Sequence, residues 1–281
     1  MRLKKALFYG LPILALASVT AAASTGSGNF GWDVGVTDNA RDGENFYNLL
    51  LWIISGIVVF VFALMIYIMV RFRESKNPEP SKTTHNTAIE IIWTVVPVII
   101  LLAIVTPSFK TLFNQDIIPE TELTVKVKGY TWHWQYEYVG MEDQIDEIIS
   151  TPLSQEEAEA QGREFLLATT SPLVIPSDTA VEFLVTSDRN LHSFSMDPFW
   201  LKVDAIPDRI NHTWTKVDAG AEGTYYGQCA ELCGINHFFM PIEIRVVTRS
   251  DFDKFVASGG DVSVLPPETN DLGKKFVVAE K

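Results

Sequence analysis

The chain has 281 residues, 47% of them hydrophobic, with 35 acidic against 22 basic side chains and a formal net charge of −13. That length allows two short membrane spans and one ordinary globular domain and excludes a large multidomain enzyme; the acidic balance excludes nucleic acid as partner, whose phosphates require a basic surface, and favours a cationic protein instead. Cys229 and Cys233 are the only cysteines, so a disulfide framework is excluded and the pair forms either one bridge or part of a shared metal site.

Residues 1–23 open with Arg2, Lys4 and Lys5, continue through the apolar run Ala6–Ala17 and reach Ala21, Ala22 and Ala23, the order of a signal peptide cleaved after Ala23. A retained membrane helix is the competing reading, and the short apolar core speaks against it. Residues 24–45 then form an exported N-terminal segment. Residues 46–70 and 88–109 follow as two transmembrane helices; the apolar runs Phe46–Val70 and Ile89–Phe109, about 25 and about 21 residues, each suffice to cross a hydrocarbon core of ~30 Å. The loop between them, 71–87, carries Arg71, Arg73, Lys76 and Lys82, whereas the outer flanks carry Asp38, Asp42 and Glu44 on one side and Asp116, Glu120 and Glu122 on the other. Basic loops stay in the cytoplasm, so this is a two-pass hairpin in a bacterial inner membrane with both ends in the periplasm.

Glu90 breaks the second apolar run near its cytoplasmic end. It reads either as an interfacial carboxylate facing headgroups or as the mouth of a proton pathway shared with a partner subunit. Pro97, in the same span, implies a kink or a local partner for the freed carbonyl.

From Glu122 the period of the pattern changes to two. Leu123, Val125 and Val127 alternate with polar residues, and so do Trp132, Trp134, Tyr136 and Tyr138. Further strands are expected over Val181–Thr186, Thr213–Val217, Thr224–Tyr226 and Ile242–Val247, separated by Pro, Gly and Asp turns, which makes residues 110–258 an all-β Greek-key sandwich or barrel. Helix is confined to a short segment opened by the capping box Ser154-Gln155-Glu156-Glu157 and to Ser250–Ala257, before a polar tail, 259–281. Between Glu137 and Glu164 stand nine acidic residues and one basic residue, Arg163. That run is a solvated face, and beside an electron-transfer site it would also steer a cationic donor.

The decisive segment runs from Gly227 to Met240. Cys229, Cys233, His237 and Met240 recur there at spacings of four, four and three, and every one of these side chains is a soft or borderline copper ligand. Zinc has little use for methionine, and calcium or magnesium would require carboxylates, of which only Glu231 lies within the set. One cysteine serves a mononuclear blue-copper site, whereas two thiolates on one loop can bridge two metals. His192, expected after a strand and before a Pro-containing turn, is the natural additional histidine. The competing readings are a Cys229–Cys233 disulfide and Met240 as core filler; His133 and His212 read as surface or strand histidines.

These residues, together with the hairpin, the run His85–Pro97, Gly129–Tyr138 and Asp204-Ala205-Ile206-Pro207, resemble subunit II of the haem–copper cytochrome c oxidases over nearly the whole chain. The resemblance implies a cupredoxin-like domain with a binuclear copper centre, CuA, in which Cys229 and Cys233 bridge. His192 and Met240 would then hold one copper, and His237 with the carbonyl of Glu231 the other. It further implies magnesium bound through the Glu231 carboxylate at the boundary with subunit I, Trp132 as the residue through which electrons arrive from cytochrome c, and Glu90 at a proton pathway of subunit I. A respiratory oxidase that reduces oxygen to water and pumps protons is implied, with subunit I, and with subunit III as a further neighbour; oxygen would be reduced in the haem-containing partner. Two departures stand out. Arg189, with Asp188 beside it, occupies a position usually held by aspartate, and Asp208 replaces a glycine, a change expected to be tolerated only if that backbone position avoids positive φ. A quinol oxidase subunit would lack the copper ligands, and a copper-delivery or storage protein of the cell envelope would need neither Trp132 nor Glu90.

Overall fold

The computed structural model describes residues 35–267; the expected signal peptide over 1–23 and the tail beyond residue 267 lie outside the described residues. Two long helices, Asp38–Arg71 and Thr87–Asp116, form the hairpin. At 1.5 Å per residue their 34 and 30 residues span roughly 51 and 45 Å, more than a bilayer core of ~30 Å requires. The polar residues flanking each apolar run on the side of the globular domain therefore continue the helix beyond the length a bilayer core requires. The first helix starts where the Thr37 hydroxyl accepts from the Ala40 N–H at 3.0 Å. The second starts at Asn86, whose side chain accepts from the Ile89 N–H at 3.2 Å while the Glu90 carboxylate accepts from the Asn86 N–H at 3.2 Å.

The helix ends remote from the 71–87 loop are tied to the globular domain. Thr37 bridges Val217, Arg41 pairs with Asp218, Gln115 donates to the Trp200 carbonyl at 2.6 Å, and the Trp214 indole donates back to the Gln115 carbonyl at 3.1 Å. Gly43 lies flat against the Trp200 ring, where a β-carbon would come within 2.3 Å of two ring atoms. The globular domain is thereby fixed relative to the hairpin.

That domain is a sandwich of two five-stranded sheets. One has the order β3 (Ile148–Ser150), β2 (His133–Tyr138), β1 (Leu123–Tyr130), β5 (Val181–Ser187), β8 (Asn211–Thr215), with β1 and β5 parallel. The other has the order β4 (Leu173–Pro176), β10 (Pro241–Val247), β9 (Gly223–Cys229), β6 (His192–Met196), β7 (Leu201–Ala205), with β4 and β10 parallel. The alternation read in the sequence faces inward as expected: Val125 and Val127 on β1, Trp134, Tyr136 and Tyr138 on β2, and Phe183 and Val185 on β5 are all buried. The two apolar helices followed by this sandwich are the architecture the sequence implied.

The outer face of β10 is covered as well. Glu243, wholly buried, accepts from the Thr169 N–H and hydroxyl at 2.7 and 3.0 Å and pairs with Arg163. The single basic residue of the acidic excursion thus pins that excursion to the sheet. The expected capping box at Ser154 and Glu157 is present, opening helix Gln155–Ala160, and a terminal helix spans Arg249–Ala257. Asp208 does adopt positive φ, at 59°, in the turn closed by the Arg209 N–H on the Ile206 carbonyl at 3.3 Å. The fold absorbs this because a short polar aspartate is among the L residues that best tolerate the left-handed region.

Candidate metal centre

The centre forms where the loop between β9 and β10 meets the start of β6. Cys229 ends β9, and its N–H donates to the Met240 carbonyl at 3.1 Å, which closes the loop at its neck. The Ala230 N–H donates to the Ser193 carbonyl at 3.0 Å, binding the same loop to β6. His192 follows β5 and precedes the turn that contains Pro198, and it is itself the first residue of β6, so that strand delivers the imidazole.

These constraints bring two thiols and two imidazoles together. The Cys229 and Cys233 sulfurs stand 3.8 Å apart, unbonded. Cys229 Sγ lies 3.8 Å from His192 Nδ1, and Cys233 Sγ lies 3.7 Å from His237 Nδ1, so each sulfur faces its own imidazole. The Cys229 thiol donates to the Glu231 carbonyl at 3.3 Å. Met240 is buried beneath the loop, with 1% of its surface exposed, whereas the Glu231 side chain is exposed.

The electrostatics suit a soft cation. Burial and the neighbouring Cys229 push the Cys233 thiol up to about 12, while burial, with help from His237 and His133, lowers His192 to about 4. Without a metal these groups are neutral, and an ion placed among them would supply the charge that stabilises thiolate. The donors are sulfur and imidazole nitrogen with one carbonyl, a set that fits copper and offers a hard cation only a single backbone oxygen.

Packing holds His192 in place. Its ring meets Trp134 edge-on at 5.9 Å between centroids, and a β-carbon on Gly129 would reach 3.0 Å from the imidazole. A glycine inside an alternating strand, as Gly129 is, is a sign of such close approach.

Trp132 does not continue the strand. It sits in the β1–β2 turn, half-buried, and its indole N–H donates to the Cys233 carbonyl at 3.2 Å, while Trp134 is wholly buried. Around the loop Leu191, Leu232, Ile235 and Phe238 are exposed, a rim of apolar side chains over the thiols. Asp188 is paired with both Arg189, at 3.3 Å, and Lys128, at 3.6 Å, so this corner carries no acidic excess. The acidic excursion reaches the centre elsewhere, where Phe165 packs on Phe239 at 5.7 Å. Glu90 lies on the membrane hairpin, where it caps its own helix. Among the described residues, a cluster of three or more His, Cys, Asp or Glu ligand atoms is formed by His192, Cys229 and Cys233.

Comparison with known proteins agrees along the chain. Residues 123–247 match the family model described as cytochrome C oxidase subunit II, periplasmic domain, and residues 26–111 match the corresponding transmembrane domain. A probable cytochrome c oxidase subunit 2 of Rickettsia bellii is 45% identical over 78% of this chain and 80% of its own length. Cytochrome c oxidase subunit 2 of Cereibacter sphaeroides is 40% identical over 77% of each. The solved periplasmic domain of subunit II of cytochrome oxidase of Bradyrhizobium japonicum is 36% identical, with a TM-score of 0.45 over 51% of this chain and 96% of that one.

Proposed function

Because the chain belongs to the cytochrome c oxidase subunit II family, we propose that it takes electrons from a basic cytochrome c at a binuclear copper centre and delivers them to the haem-bearing subunit I of its complex. As a subunit of a haem–copper oxidoreductase it has an electron-transfer role, and in this proposal it carries two coppers and a magnesium and has subunits I and III as neighbours. The observation that carries it is the thiol pair 3.8 Å apart with an imidazole nitrogen facing each sulfur. In this reading Cys229 and Cys233 would serve both coppers, His192 and Met240 would hold one and His237 with the Glu231 carbonyl the other, and the Glu231 carboxylate would be available to magnesium where subunit I approaches. Bound copper supplies a one-electron couple. The protein's own part is to keep the site buried and its imidazoles fixed, so that little has to reorganise when charge changes. A delivery protein would require exchangeable ligands, and His192, locked by Trp134 and Gly129, is the opposite of exchangeable. Glu90, which accepts from the backbone at its helix start, would stand at the cytoplasmic mouth of a proton pathway, consistent with a hairpin whose basic loop, 71–87, faces the cytoplasm of a bacterial inner membrane.

The test is an electron paramagnetic resonance spectrum of the copper-loaded, purified complex alongside its haem content. Hyperfine structure shared equally by two coppers, with haem present, is expected. A single-copper spectrum, or a chain that purifies without haem, would overturn the reading.

Two further outcomes follow from the site. Met240→Leu should retain both coppers and shift their potential, because a buried thioether tunes more than it anchors; the near-equal volume should hold the stability loss below about 1.5 kcal/mol. Equilibrium redox titration checks this, and loss of copper would make Met240 a principal anchor. Association with a basic donor should slow about tenfold or more as ionic strength rises from ~0.01 to ~0.15 M and the Debye length shrinks from ~30 to ~8 Å. The acidic excursion, with Glu142, Asp143, Asp146 and Glu147 exposed, supplies the field. A rate indifferent to salt in stopped-flow mixing would reject steering.

A further inference from the structure

Asn190 lies two residues before His192, in the connection from β5 to β6, and touches both the turn that bears Trp132 and the loop that bears the thiols. Its amide nitrogen is 3.3 Å from the Cys233 carbonyl and 3.5 Å from the Thr131 hydroxyl. The Cys233 carbonyl oxygen has two lone pairs. One receives the Trp132 indole N–H at 3.2 Å and the other the Asn190 amide.

We propose that Asn190 is a positioning residue for electron uptake, a clip that holds the Trp132 indole against the Cys233 carbonyl. The proposal rests on Trp132 as the residue through which the electron arrives. Trp132 sits on a turn and is only half-buried: its ring packs on the edge of the core without being enclosed by it as Trp134 is. Its other contacts come from the thiol loop. Gly234, at φ 123°, runs over the indole, and a β-carbon there would stand 3.0 Å from Trp132 Cζ2. The ring and the loop are thus joined by one hydrogen bond and this contact, and a second tie between the loop and the turn limits what relative motion remains. Asn190 supplies that tie, because one amide group carries two N–H donors and can serve Thr131 and Cys233 at once. Without it, the N–H to carbonyl contact at the loop would exchange with water, and the separation between indole and sulfur would fluctuate. Electron transfer rates fall steeply with separation, so uptake would slow although the ligands are untouched.

The experiment uses the assembled, copper-loaded complex and four forms: the parent, Asn190→Ala, Trp132→Gln and the double variant. Stopped-flow reduction of copper is followed with cytochrome c and, separately, with a small reductant that needs no docking. For Asn190→Ala the expected result is a several-fold slower reduction by cytochrome c, unchanged reduction by the small reductant and an unchanged copper spectrum. In the Trp132→Gln background the same substitution should add nothing, since the clip acts through the indole. Normal reduction of Asn190→Ala by cytochrome c, while Trp132→Gln is slow, overturns the clip and leaves Trp132 in place. Normal reduction of Trp132→Gln overturns the reading of Trp132 itself. An altered copper spectrum or slower reduction by both reductants in Asn190→Ala makes Asn190 a support of the metal loop, and an additive loss in the double variant assigns it to docking; either result rejects the proposal.

Discussion

Cys229→Ser and Cys233→Ser are each expected to abolish the two-copper signature and, with it, electron uptake. In the proposed binuclear arrangement the two sulfurs are the shared members of the site; in the structure Cys229 faces His192 and Cys233 faces His237, at 3.8 and 3.7 Å, and the sulfurs are 3.8 Å from one another. Removing one sulfur therefore withdraws a ligand from both halves. A serine hydroxyl is a hard donor that does not ionise under these conditions, so it neither matches copper nor supplies the negative charge that offsets the ion in a buried site. Loss of supporting groups outside the ligand set already reduces metal affinity by about 10–100-fold, and loss of a ligand should exceed that. Copper-to-protein ratio and the paramagnetic resonance spectrum measure the result. A variant that keeps two coppers and the parent hyperfine pattern would sink the bridging assignment.

How far the sequence revealed this site depends on which physical rule governs each residue. The spacing of Cys229, Cys233, His237 and Met240 lies on one loop and can be read directly. The alternation of Leu123, Val125, Val127 and of Trp134, Tyr136, Tyr138 announced strands buried on one face, because burial of alternate residues is what a sandwich requires. His192 was harder. Its strand, His-Ser-Phe-Ser-Met, is nearly all buried and so shows little alternation, and its partners β7 and β9 lie 5 and 27 residues onward, as the strand bounds His192–Met196, Leu201–Ala205 and Gly223–Cys229 indicate. Strands β3 and β4, of three and four residues, were missed because so short a run carries no detectable period. The contacts of Asn190 and of the Cys233 carbonyl follow from tertiary placement alone. No local pattern foretells which backbone oxygen a distant indole will meet.

Trp132 and Trp134 are where the two kinds of reasoning part, and their substitution should give opposite results. In the sequence both belong to one alternating run, and the simplest expectation is four core aromatics on one strand face. In the structure Trp134, Tyr136 and Tyr138 are that face, all essentially unexposed, while Trp132 has left the strand for the turn and points its N–H at the Cys233 carbonyl, 3.2 Å away. Trp134 stands edge-on to both His192 and Phe194, at 5.9 and 5.3 Å, so Trp134→Gln creates a cavity and buries an amide beside a ligand. A loss of about 3–5 kcal/mol in domain stability is expected, with copper binding weakened in consequence. Trp132→Gln removes only the partly buried packing of the indole at the edge of the core, less than is lost at the wholly buried Trp134, and the glutamine amide can still donate toward the loop, so the fold, copper content and salt-dependent docking should be retained with a smaller stability loss than in Trp134→Gln. Reduction of copper by cytochrome c should nevertheless slow by about tenfold or more, which corresponds to at least ~1.4 kcal/mol in the barrier. Thermal unfolding and stopped-flow reduction on the same preparations separate the two effects. If Trp132→Gln is reduced at the parent rate, or if both variants lose stability equally, Trp132 is a packing residue and the electron reaches the thiols by another route, of which the exposed rim of Leu232, Ile235 and Phe238 is the nearest surface.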